Sequence, residues 1–271
     1  MSSDRLADCF SRCRSEGRSA LVGYLTAGDP NVSTSEELLL ALAEQVDILE
    51  IGMPFSDPMA DGPVIQAASE RALEAGALIK DLFAIATKVR STYPDVCIIL
   101  MGYANVPYTI GFDKFSKQAS EAGVDGVLIV DIPAEESAIC EESLKKYDLH
   151  RILLLAPTSS DERIKLASEA ASGFIYYVSL TGVTGAAMGE TATIEKQVEN
   201  IRSFSDLPIC VGFGVKTPEQ AGKVAAFADG VVVGSHFVSQ IPQHSGNSKA
   251  MVSALSAAAS DMRSAMAKVT I

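Results

Sequence analysis

A glutamate inside an apolar strand and an aspartate on the loop after it are the two residues of this chain best placed for acid–base chemistry. Glu50 stands in the run Ile48-Leu49-Glu50-Ile51, and Asp61 follows eleven residues later in the Pro- and Gly-punctuated stretch Met53–Pro63. Burying a carboxylate costs several kcal/mol unless the group has a partner or a task. A carboxyl fixed by a strand, with a second on the following loop, makes a plausible proton-transfer pair. The plainer alternatives are a Glu50 held by a core hydrogen bond and an Asp61 that serves as a turn or cap before a helix starting near Pro63.

The elements that must position these acids alternate along the whole chain. Short apolar runs occur at about 20–28, 47–53, 97–103, 126–132, 151–156, 173–179, 208–213 and 230–234. Between them lie segments of helical period: Ser35–Gln45, Val64–Ala75, Lys80–Arg90, Lys114–Ala122, Glu135–Lys146, Glu162–Ala171, Thr193–Phe204 and Pro218–Ala228. An Ala-rich helix from about Ser248 to Lys268 closes the chain. Strands that are apolar on both faces and each followed by a helix imply a parallel sheet. Eight such units predict an α/β protein with a single-domain (β/α)8 barrel, residues 1–271, preceded by an extra N-terminal helix. A doubly wound open sheet is the competing architecture. The pair Gln45–Leu49 and Gly123–Val127 is a faint internal echo of the repeat.

A barrel gives the candidate residues one address, because such active sites gather at the C-terminal ends of the strands. Glu50 lies late in the second strand and Asp61 on the loop after it. Asp131 ends the fourth strand, where it could instead order a loop, and Tyr176 lies on the sixth, where it could be barrel filling. Gly212-Phe213-Gly214 ends the seventh strand and Gly234-Ser235 the eighth. Glycines there let backbone N–H groups approach an anion, and a short helix start adds favourable dipole charge. The expectation is a phosphate site; tight turns are the alternative. No P-loop motif occurs, which argues against nucleotide hydrolysis.

Composition narrows the partners. A net charge of −12 over 271 residues disfavours nucleic acid and anionic membranes. Neither a signal-peptide core nor a membrane-length apolar run is present, so a cytoplasmic location is expected. Five scattered cysteines, Cys9, Cys13, Cys97, Cys140 and Cys210, read as reduced thiols. Cys9 and Cys13 lie four apart on one helix face, but no His or further Cys stands nearby to complete four ligands, so no metal site is expected.

The run LEIGMPFSDPMADGP (Leu49–Pro63) resembles the hallmark of the tryptophan synthase α-subunit family. The similarity extends through Thr26–Pro30, Met101–Asn105, Asp131–Pro133, Gly182–Gly185, Gly212–Lys216 and Gly234-Ser235, in the family's order. The resemblance implies an indole-3-glycerol-phosphate lyase that cleaves its substrate to indole and glyceraldehyde 3-phosphate. It implies catalytic roles for Glu50, Asp61 and Tyr176, and an indole slot of Tyr24, Leu100, Tyr103, Leu128, Val130 and Leu154. Thr184 would meet Asp61 as the loops close, and Gly185, Phe213, Gly214, Gly234 and Ser235 would hold phosphate. It further implies no cofactor in this chain and a PLP-dependent β subunit as partner, in an αββα assembly. The contacting surface would include the Pro54–Pro58 loop and the region near Asn105. Leu180 departs from the basic residue some members carry before GVTG, and Pro107-Tyr108 are atypical. The same carboxylates leave open a stand-alone lyase, another phosphosugar barrel enzyme, or a non-catalytic barrel that activates a partner.

Overall fold

A computed structural model of the chain describes residues 4–179, 188–212 and 214–267. Eight parallel strands close into a barrel in chain order: β1 (Ala20–Thr26), β2 (Ile48–Gly52), β3 (Cys97–Gly102), β4 (Gly126–Ile129), β5 (His150–Leu155), β6 (Ile175–Val178), β7 (Ile209–Gly212) and β8 (Gly230–Val233). β8 pairs back onto β1 through Val22 opposite Val232, which leaves no open edge. The predicted (β/α)8 architecture is the observed one.

Alternation along the strands divides the core in two. Val22, Ile48, Ile99, Leu128, Ile152, Tyr176, Cys210 and Val232 belong to one buried cluster inside the barrel. Their strand neighbours Leu21, Leu49, Ile98, Val127, Leu153, Ile175, Val211 and Val231 belong to a larger cluster packed against the surrounding helices. The N-terminal helix Arg5–Ser15 lies across the opening at the strands' N-terminal ends. It adds Leu6, Cys9, Phe10 and Cys13 to the inner cluster. Phe10 and Phe174 meet edge to face there, centroids 5.9 Å apart.

Three aspartates tie this lower end together by one repeated device. Asp47, Asp125 and Asp229 stand just before β2, β4 and β8. Each backbone N–H donates to the carbonyl of a residue at the start of the preceding strand, Leu21, Ile98 or Ile209. Each carboxylate accepts the N–H of that same residue at 2.8–2.9 Å. Each also pairs with arginine: Asp47 with Arg18, Asp125 with Arg90 and Arg5, Asp229 with Arg202. The repeated Asp is the physical content of the echo between residues 45–49 and 123–127.

Helix starts follow capping chemistry. Asn31, Ser160 and Asn247 accept N–H groups of the first turn, and Thr217 and Gln220 form a reciprocal box. The sequence period over Glu135–Lys146 predicts one helix. The chain instead makes a 3-10 turn over Ala134–Ile139 and a helix over Glu141–Lys146, because Cys140 leaves helical geometry with φ −128°. A helix at Asn105–Ile110 and two short ones at Ser235–Val238 and Gln240–Gln243 add to the expected elements.

Candidate active site

Glu50 sits in β2 opposite Tyr24 of β1 and Ile99 of β3. Register partners share a face, so its carboxyl points into the barrel near the C-terminal rim. It is 1% exposed, and Oε1 has no hydrogen-bond partner. Burial, and then the nearby negative charge of Asp61, push its pKa up to about 8. At neutral pH this carboxyl therefore carries a proton.

Two tyrosines flank it on β1 and β6. Tyr24 bonds Thr26 Oγ1 through its hydroxyl at 3.2 Å. Burial raises both phenols far above their ordinary range, so both stay neutral. Each ring occupies the space above a glycine on a neighbouring strand. A Cβ at Gly52 would collide with the Tyr24 hydroxyl, and one at Gly212 would lie 2.5 Å from that of Tyr176. These glycines are therefore set by close approach rather than by backbone conformation.

Asp61 is held on the loop between β2 and the helix Pro63–Glu74. Tyr103, just past β3, donates its hydroxyl to Asp61 Oδ2 at 3.0 Å and accepts the Ala60 N–H at 3.1 Å. Phe55 packs on the Tyr103 ring, centroids 5.3 Å apart. Asp61 Oδ2 thus sits on a neutral phenol rather than a cation. Burial raises the Asp61 pKa, and the Tyr103 bond partly offsets the rise. Asp131 accepts the Ala104 N–H at 2.7 Å and so orders the rim after β3.

Leu128, Val130 and Leu154 pack with the inner cluster around Glu50. Leu100 does not. It is the register partner of Ile51 and Val127 and belongs to the outer, helix-facing cluster. Met101, partner of Gly52 and Leu128, takes the inward place instead. Strand alternation carries the signal for this: Tyr103 shares parity with Met101, not with Leu100.

At the seventh and eighth strands, Gly214 has φ +87°, a conformation that favours glycine. Gly234 is half-buried, and Ser235 is exposed at the start of Ser235–Val238. Thr184, Gly185 and Phe213 lie outside the described residues, as does Leu180. The rim also carries two large exposed apolar side chains, Met59 and Tyr108, at 78% and 70%.

A family model described as tryptophan synthase alpha chain matches residues 10–267. A tryptophan synthase alpha chain from Zymomonas mobilis is 46% identical over 263 residues, covering 97% of this chain and 96% of the relative. One from Geobacter sulfurreducens is 49% identical over 235 residues, covering 86% and 89%. The crystal structure of tryptophan synthase subunit alpha from Legionella pneumophila superposes with a TM-score of 0.92 at 38% identity, covering 99% of this chain and all of that one. A structure of Mycobacterium tuberculosis tryptophan synthase gives a TM-score of 0.88 at 34% identity, covering 97% and 98%.

Proposed function

The chain belongs to the tryptophan synthase alpha chain family and is an indole-3-glycerol-phosphate lyase, and from that premise we propose that Glu50 and Asp61 carry the cleavage. The observation behind this assignment is the Glu50 carboxyl, 1% exposed and lacking a partner at Oε1, a burial that pushes its pKa up to about 8.

The reaction breaks the bond between indole C3 and the glycerol chain. Glu50 delivers its proton to C3, which turns the ring into an indolenine cation. The resulting carboxylate then takes the proton of the hydroxyl on the adjacent glycerol carbon. As the aldehyde forms, the carbon–carbon electron pair returns to the ring. The hydroxyl proton thereby replaces the one given up, and Glu50 ends as it began. Asp61 accepts a hydrogen bond from the indole N–H and stabilises the charge developing there. Tyr176 packs beside Glu50 and helps keep water from it. Tyr24, Tyr103, Leu128, Val130 and Leu154 form the slot for the ring, with Met101 in place of Leu100. Phosphate rests on backbone N–H groups around Gly185, Phe213, Gly214, Gly234 and Ser235, with Thr184 closing toward Asp61.

The proposal needs no cofactor here, since the indole ring serves as its own electron sink; PLP belongs to a β subunit. That partner docks on the catalytic rim, in an αββα assembly that receives indole directly. The exposed Met59 and Tyr108 beside Pro54–Pro58 and Asn105 support this surface. No helix of the described residues is long and apolar enough to cross a membrane, in keeping with a cytoplasmic enzyme formed from one domain over 1–271.

The test is indole release from indole-3-glycerol phosphate, with and without β subunit, in wild type and Glu50→Gln. Turnover that rises on adding β and collapses in Glu50→Gln supports the assignment. Substantial residual cleavage in Glu50→Gln would remove Glu50 from the mechanism.

A further inference from the structure

Beneath the barrel, at the end opposite Glu50, lies a group of thiols that the lyase chemistry does not use. Cys9 and Cys13 stand one turn apart on the inward face of Arg5–Ser15, and both are fully buried. Their sulfurs and a carboxylate oxygen of Asp47 all lie within 4.8 Å of one another. Cys97, the first residue of β3, belongs to the same buried cluster as Cys9 and Cys13. Its own Sγ donates to the Arg5 carbonyl at 3.1 Å. Cys9 and Cys13 share one helix; only the closed barrel brings Cys97 into their cluster.

The carboxylate is committed elsewhere. Asp47 takes both terminal nitrogens of Arg18 at 2.8 and 2.9 Å, the Leu21 N–H at 2.9 Å, and Arg263 at 3.5 Å. It is therefore part of the surroundings and not a ligand. Two guanidiniums, Arg18 and Arg263, face two carboxylates, Asp47 and Glu16, so the surrounding charges balance. Glu16, which meets Arg18 on the outer side, is about half exposed and shielded by solvent.

We propose that Cys9 and Cys13 form a two-coordinate thiolate site for a soft monovalent cation of the copper(I) class, with Cys97 as the neighbouring third sulfur. Loading balances as two thiols plus M+ giving [RS–M–SR]− plus two protons released to solvent. The anionic product lies near the Arg18 guanidinium, the cation whose charge acts on Cys13. A zinc ion fits poorly, because it needs four ligands and the carboxylate oxygens are taken. A direct Cys9–Cys13 disulfide fits poorly too. Helical neighbours four apart hold their Cβ atoms about 5–6 Å apart, whereas a disulfide needs about 3.5–4.5 Å. An ion between the sulfurs spans that gap. Binding displaces the two thiol protons, so loading depends on pH.

The experiment uses the full chain, reduced and metal-free, titrated anaerobically with copper(I) held in a competing chelator. The expected result is one ion per chain, two protons released per ion, and X-ray absorption showing only sulfur in the first coordination sphere. Cys9→Ser and Cys13→Ser should each weaken binding by more than the roughly 10–100-fold that losing an outer partner costs. Cys140→Ser, whose thiol lies under the 3-10 turn, should bind as wild type does. Loading should raise the melting temperature and leave indole release unchanged, since the site is at the opposite end from Glu50. The absorption spectrum of the wild type needs no variant to fold. Nitrogen or oxygen ligation, zinc binding of equal strength, no stoichiometric binding, or a Cys9–Cys97 disulfide in the isolated protein would each overturn the proposal.

Discussion

At the lower end of the barrel Asp47, Asp125 and the half-buried Asp229 each accept a strand N–H and face one or more arginines; at the rim, Glu50 is more deeply buried and has no partner at Oε1. Both ends bear the cost of removing a carboxyl from water. At the lower end that cost is offset by charge and hydrogen bonds, which hold the Asp47 pKa below its ordinary value and fasten one strand to the next. At the rim nothing offsets it, so the group holds a proton. A fold that pairs its buried aspartates Asp29, Asp47 and Asp125 with arginine leaves Glu50 Oε1 without a partner where the substrate enters. That contrast separates an acid that holds structure from one that does chemistry.

Substitutions on the two sides should therefore fail in opposite ways. Glu50→Gln keeps the shape and removes the transferable proton, so indole release should fall by about 10^3–10^4-fold, at the upper end of what proton transfer contributes. Its melting temperature should stay level or rise, because no bond at Oε1 is lost. If this variant unfolds instead, the rim carboxyl is structural and the contrast fails. Asp125→Ala should do the reverse. It strands Arg90, Arg5 and the Ile98 N–H, at a cost of about 3–5 kcal/mol in urea unfolding. Folded protein recovered at low temperature should still cleave substrate.

Stability against pH should carry opposite signs from the two ends. Glu50 has a folded pKa raised from 4.5 to about 8. The folded state binds the extra proton between those values, so this contribution is present below about 4.5 and is lost as pH rises through 8. Wild type should accordingly lose about a few kcal/mol relative to Glu50→Gln across that window. Burial alone would raise Asp47, but the Arg18 bonds hold it below its ordinary value. Its contribution is present above the ordinary aspartate pKa and is lost as pH falls through the lowered one. Urea midpoints of wild type, Glu50→Gln and Asp47→Asn from pH 3 to 9 would separate the two.

The smallest effect tests how Asp61 is aimed. Tyr103→Phe removes the hydroxyl that donates to Asp61 Oδ2, a hydrogen bond worth about 1.5–3 kcal/mol to a carboxylate. Turnover should drop about 10–100-fold with little change in melting temperature. A variant as active as wild type would show that Tyr103 is only part of the slot.

Much of this was readable from the residues in order. Continuous apolar strands separated by helical period imply the closed barrel, and a glutamate amid Ile48, Leu49 and Ile51 announces itself against that background. Single-residue facing was less secure. Leu100 and Met101 are both apolar and adjacent, and only the register with Glu50 shows which one turns inward. The break at Cys140 was hidden because Glu135–Lys146 has helical composition throughout. The Tyr103–Asp61 bond joins residues 42 apart across two loops, and no local pattern encodes it. The thiol group was hidden for the same reason: Cys9, Cys13 and Cys97 meet only once β3 lies over the N-terminal helix.

The central claim is that Glu50 is a buried acid left unpaired so that it can give up a proton. Carbon-13 NMR of glutamate-labelled protein, with Glu50→Gln to assign the carboxyl signal, measures this directly. One carboxyl titrating near pH 8 in wild type and missing from Glu50→Gln is the predicted result. A Glu50 signal that titrates between pH 4 and 5, like an exposed glutamate, would contradict it.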